Sequence, residues 1–181
     1  MDFKTFQKSI DLLKSWREKG HKNFEFPDSR DPDFQTLMAD SGVVPQDFEK
    51  SLIALCAWRE GRQDVYVGQS AIVHVIRNRQ KQGQFRSHLT SDPQFASMSI
   101  EGDSRLDEYP DDPEDQNFNQ ILSNLDDILA AKTVDLTQGS TAFGVIDSNM
   151  PEWFKVIADS PDWIRKTKIG NVTFFGPKEV K

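Results

Sequence analysis

Glu60 stands at the end of an apolar run, Leu52-Ile-Ala-Leu-Cys-Ala-Trp58, and Asp64 follows four residues later. A carboxyl group beside apolar side chains can be kept protonated near neutral pH, because burial disfavours the charged form, and a protonated carboxyl can serve as a general acid. The end of a helix pushes the same way, since the C-terminal partial charge disfavours a nearby anion. The plain alternative is a helix-end carboxylate paired with Arg59 or Arg62. The three histidines, His21, His74 and His88, show no metal-ligand spacing, so no metal centre is expected. Cys56 lies within the apolar run and reads as buried and inert. Phosphate-binding loops, dinucleotide fingerprints and a Gly-x-Ser-x-Gly elbow are absent from the sequence, and no cofactor is expected.

The elements that must position Glu60 follow from the periodicity. Pro45 can open a helix, Asp47 and Glu49 suit its first turn, and Leu52, Ile53, Leu55 and Cys56 give it an apolar face that ends near Arg59 and Glu60. A second helix fits residues 66–81, where Ala71, Ile72, Val75 and Ile76 recur at helical spacing before Gly83. Residues 61–65 then join two antiparallel helices, and Asn78 and Arg79 are expected to cap the second. A further helix fits Asn117 to Lys132, and one over residues 3–19 carries Phe3, Phe6, Ile10, Leu13 and Trp16 on one stripe and ends at Gly20. Residues 21–45 read as a connector with one helical turn near Phe34 to Met38, and residues 84–115 as a long functional loop. Short β-prone runs cover 142–146, 154–157, 163–164 and 172–175. The expected class is α+β, mostly helical with a small antiparallel β-element. Residues 1–45 form an N-terminal helical extension packed on the body, and residues 46–181 form the domain that carries the site.

Composition limits the partners. The chain has 181 residues, 36% of them hydrophobic and 28% charged, which suits one globular domain with its own core. No apolar run approaches the about 18 residues of a membrane span. With one cysteine, no internal disulfide can form. A net charge of −7 argues against nucleic acid, which needs clustered Lys and Arg. Much of the excess lies between Glu101 and Asp115, where Arg105 is the sole cation, and this stretch reads as a solvated loop without EF-hand spacing.

Five blocks in order carry a family resemblance. The stretch from Leu52 to Arg79 resembles the signature of SleB-type cell-wall hydrolases, in which an apolar helix ends in Glu-Ala-Arg-Gly-Glu, followed by an aromatic, Gly-Gln and a helix closing in Asn-Arg. Glu60, Arg62, Tyr66, Gly68, Gln69, Asn78 and Arg79 match; Gly61, Gln63 and Asp64 replace Ala, Gly and the second Glu. Pro93-Gln94-Phe95-Ala-Ser97 is similar to the family's Gln-Phe-Ser block, and Asp135 to Phe143 to its Asp-Pro-Thr-Asn-Gly-Ala-aromatic turn. Pro151-Glu-Trp153 and Ile169 to Phe175 complete the series, with Val172 where the family has His.

The resemblance implies a lysozyme-like core that cleaves the peptidoglycan glycan strand between N-acetylmuramic acid and N-acetylglucosamine, commonly as a lytic transglycosylase, with Glu60 as catalytic acid. Asp64, Tyr66, Gln69, Phe95, Ser97 and Trp153 are then the expected sugar-contacting residues, since aromatic faces stack on sugars and amides can bond acetamido groups. Two-carboxylate hydrolysis needs a partner about 5–9.5 Å from the acid, and Asp64 is the nearest in sequence. Transglycosylation needs none. The N-terminus lacks an apolar leader segment, which points to a product made in the cytoplasm and brought to the wall as a phage endolysin or virion-associated lysin. The alternative is a catalytically inactive glycan-binding or virion structural protein on the same fold.

Overall fold

The computed structural model describes residues 1–61, 66–82 and 95–178, with the backbone but not the side chain of Tyr66. The chain is α+β and mostly helical. Among the described residues seven α-helices precede or flank a three-stranded antiparallel sheet. The helices are α1 (Phe3–Arg17), α2 (Pro32–Ser41), α3 (Pro45–Gly61), α4 (Tyr66–Lys81), α5 (Ala96–Ser99), α6 (Gln116–Leu129) and α7 (Glu152–Asp159). The strands are β1 (Ala142–Val145), β2 (Trp163–Ile169) and β3 (Val172–Pro177), and a 3₁₀ turn, Ser104–Asp107, follows α5.

Helix α3 is the centre of the molecule. Seven consecutive residues, Ser51 to Ala57, are buried, and α1, α4, α5 and α6 all pack on it. A helix apolar on all sides is a core helix. Ala71, Ile72, Val75 and Ile76 of α4 and Ile121, Leu122, Leu125 and Ile128 of α6 join the same buried cluster. So do Phe6, Ile10 and Leu13 of α1 and Phe34 and Met38 of α2, so the first 45 residues share the core. Among the described residues no helix is long and apolar enough to cross a membrane.

Two elements differ from the sequence expectation. The single turn expected near Phe34 is a ten-residue helix, α2. Asp31-Pro32, read as a turn pair, is a cap: the Asp31 carboxylate accepts from the N–H groups of Asp33 and Phe34, Pro32 takes the first helical position, and Gly42 ends the helix at φ 65°. The β-prone run 154–157 lies inside helix α7, which buries Phe154 and packs Trp153, Ile157 and Ala158 beside the sheet. Three apolar residues in four, Phe154, Val156 and Ile157, are too short a run to separate strand from helix, and the spacing of Trp153, Phe154, Ile157 and Ala158 is the helical one.

In the sheet, β3 lies between β1 and β2. Phe143 pairs with Phe174 and faces the main core, while Ala142 pairs with Phe175 on the opposite face, under Phe154 of α7. One residue is inserted in β2 between Arg165 and Thr167, where the register shifts.

Candidate active site

Glu60 is the penultimate residue of α3, and its side chain is 9% exposed. Its Oε1 accepts two hydrogen bonds from Ser97, one from the backbone N–H at 3.1 Å and one from the hydroxyl at 2.6 Å. Its Oε2 accepts from Nη1 of Arg105 at 3.1 Å. The structure thus brings together Glu60 and Ser97, two of the residues singled out in the sequence, and adds Arg105.

The neighbours of these three explain their placement. Arg105 is fixed by Asp103, whose two oxygens accept from Nε at 2.9 Å and Nη2 at 2.7 Å. The Asp103 carboxylate also accepts from the backbone N–H of Arg105, capping the 3₁₀ turn. This pairing first, and Glu60 after it, holds the Arg105 guanidinium more firmly protonated than an isolated arginine, against the opposing effect of burial. Asp103 in turn lies below its ordinary value, chiefly through the hydrogen bond from Arg105.

Arg59, the residue before Glu60, points the other way. It is 1% exposed and donates to three backbone carbonyls: Ser97 at 2.9 Å, Leu106 at 2.7 Å and Glu108 at 3.0 Å. Burial pulls its guanidinium down to about 10, with Tyr109, whose ring lies 5.1 Å away, opposing. Arg59 therefore holds the carbonyl of Ser97 while the N–H and hydroxyl of Ser97 hold Glu60. Neither Arg59 nor Arg105 was assigned to the site from sequence, and Arg105 rather than Arg59 forms the ion pair with Glu60. The available signal was the lone cation in the acidic run from Glu101 to Asp115.

Cys56, one helical turn before Glu60, is fully buried; burial first and the charge of Glu60 second push its thiol well up. Gln69 sits against the same end of α3. A Cβ on Gly61 would lie 3.1 Å from its Cγ and 3.2 Å from its Cα, so glycine here lets α4 approach closely. Gln69 is 3% exposed and its Oε1 has no hydrogen-bond partner among the described residues.

The remaining expected residues fall elsewhere. Phe95 is fully buried, under the guanidinium of Arg79 at 4.7 Å and beside Phe143, so its ring presents no open face. Trp153 packs on Phe154 in the smaller cluster beside the sheet. Asp64 and the side chain of Tyr66 lie outside the described residues, as do Arg62, His88, Pro93 and Gln94. Asn78 and Arg79 do not act as simple C-caps. Asn78 donates to Asp135, Thr137 and the carbonyl of Ser140, and Arg79 to the carbonyl of Thr141, so the two tie α4 to the turn that leads into β1.

Among the described residues no group of three or more His, Cys, Asp or Glu is placed to hold a metal ion. A separate cleft of about 640 Å³ opens between the end of α1 and α2, lined in part by Trp16, His21, Phe26 and Leu37, and does not include Glu60. The chain matches no protein-family model, no curated protein and no solved structure.

Proposed function

We propose that the chain cleaves peptidoglycan glycan strands between N-acetylmuramic acid and N-acetylglucosamine by lytic transglycosylation, with Glu60 as acid and then base. The observation that carries this reading is the recessed position of the Glu60 carboxyl, 9% exposed at the end of α3 and oriented by the N–H and hydroxyl of Ser97. Its setting in the sequence, which resembles that of the SleB-type catalytic Glu, supplies the substrate class.

In the first half of the reaction the Glu60 proton passes to the glycosidic oxygen as the bond to C1 of the muramic sugar breaks. The C6 hydroxyl of that sugar then bonds to C1, and its proton returns to the Glu60 carboxylate. The products are a 1,6-anhydro end and a free C4 hydroxyl, and Glu60 ends protonated as it began. Ser97 holds the carboxyl in a fixed orientation through both halves.

A second reading is favoured by the same hydrogen bonds. Both Glu60 oxygens already have donors, as in a carboxylate that serves the fold, which suits a glycan-binding or structural protein that has lost activity. Turbidity of permeabilised cells separates the two when measured beside co-sedimentation with purified sacculi. Clearing is the result expected of the enzyme; co-sedimentation without clearing supports the second reading.

A further inference from the structure

Arg105 has five N–H donors, and the described structure uses three of them, two on Asp103 and one on Glu60. Its side chain is 24% exposed, while the carboxyl it holds is 9% exposed and Ser97 is fully buried. The guanidinium therefore forms the outer edge of the acid, with two Nη donors unengaged among the described residues. Asp103 grips it through the Nε and Nη2 edge. The side-chain entropy of ordering a long arginine is thereby met within the fold before any ligand arrives.

A fixed, partly exposed arginine is suited to a carboxylate, to which its remaining Nη hydrogens can donate. This inference rests on the glycan-cleaving reading of the site. In such a strand the muramic sugar alone carries a lactyl ether, on C3 of the same ring whose C1 bond breaks. Its carboxyl is free only where no stem peptide is attached. We propose that Arg105 anchors that free lactyl carboxylate, so that the preferred substrate is a glycan strand already stripped of its peptides. Because Arg105 touches Glu60, an anion held by it belongs to the ring on which the acid acts rather than to a remote groove.

Binding by the Glu60→Gln protein, which cannot turn the ligand over, gives the test. Three tetrasaccharides serve as ligands in calorimetry: the alternating N-acetylglucosamine–N-acetylmuramic acid strand with free lactyl groups, the same strand with its lactyl groups converted to amides, and chitotetraose. The free-acid strand is expected to bind at least about tenfold more tightly than either neutral ligand. Adding Arg105→Gln should erase the difference, and Arg105→Lys should restore part of it. Equal affinities, tighter binding of the amide, or no binding of any of the three would overturn the proposal. Residual, equal binding of the three ligands by Arg105→Gln and partial recovery in Arg105→Lys both require a folded site, so a general loss of folding does not imitate the expected result. Discrimination by a protein whose wild type cuts nothing would keep the anion site and sink the enzyme reading alone.

Discussion

Ser97 grips a single oxygen of Glu60 twice, through its backbone N–H at 3.1 Å and its hydroxyl at 2.6 Å. The backbone bond survives any substitution at 97, whereas Ser97→Ala removes the hydroxyl. A hydrogen bond to a charged group contributes about 1.5–3 kcal/mol to stability, so the variant should unfold at lower urea by about that much and, with the carboxyl less firmly oriented, should cut glycan more slowly. Rates of muropeptide release check this, and wild-type rates would detach the hydroxyl from the chemistry.

Arg59 sets Ser97 from behind. Arg59→Met fills most of the volume and removes the donors to the carbonyls of Ser97, Leu106 and Glu108. Buried acceptors left unpaired cost about 1–3 kcal/mol each, so a loss of about 3 kcal/mol or more is expected in urea unfolding. A change under about 1 kcal/mol would mean that the carbonyls find other donors.

Much of this arrangement was legible in the sequence. The bounds of α4 and the position of Glu60 at the end of α3 follow from apolar periodicity and from Pro45, because the two helices carry the core and the core dictates their pattern. Ser97 was reached only through a family-like block, since a serine four residues from a proline has no signature of its own. Arg105 stands out in the sequence only as the lone cation between Glu101 and Asp115. What joins it to Glu60 is a contact across 45 residues, made by the turn that Asp103 caps, and no local pattern encodes that distance in the chain. Helix α2 was underestimated because Asp-Pro serves equally as a turn and as a cap, and the buried pair Phe34 and Met38 decides between them.

Acid should weaken the fold in two stages. His74 is buried, and burial, assisted by Arg77, holds its imidazole below the ordinary 6.5 against the pull of Asp135 at 3.7 Å. The unfolded chain therefore takes up this proton at higher pH than the folded one, and stability falls as pH drops through 6.5. Asp135 is itself buried, which works against ionisation, but hydrogen bonds from Thr137, Asn78 and Gly139 outweigh this and keep it below 3.8. Asp103 is lowered too. Their contributions are present above 3.8 and are lost as pH falls through the lowered values. Urea unfolding at pH 7.5, 5.5 and 3 measures both stages, and His74→Gln should flatten the first while leaving the second.

The sheet offers a steric test. A Cβ on Gly144 would lie 2.6–2.8 Å from ring atoms of Phe154, the residue that seats α7 on β1. Gly144→Ala should force the helix outward and lower stability by about 1–3 kcal/mol, read as a lower melting temperature. An unchanged melting temperature would show that α7 docks more loosely than this contact implies.

The proton on Glu60 is the centre of the account, and Glu60→Gln keeps its shape while removing the acid. Purified sacculi digested with each protein, followed by mass spectrometry of the released muropeptides, test it most directly. The wild type is expected to release 1,6-anhydro-muropeptides and Glu60→Gln none, with both proteins folded by circular dichroism. Release by the variant at the wild-type rate, products with ordinary reducing ends, or no release by the folded wild type would contradict it.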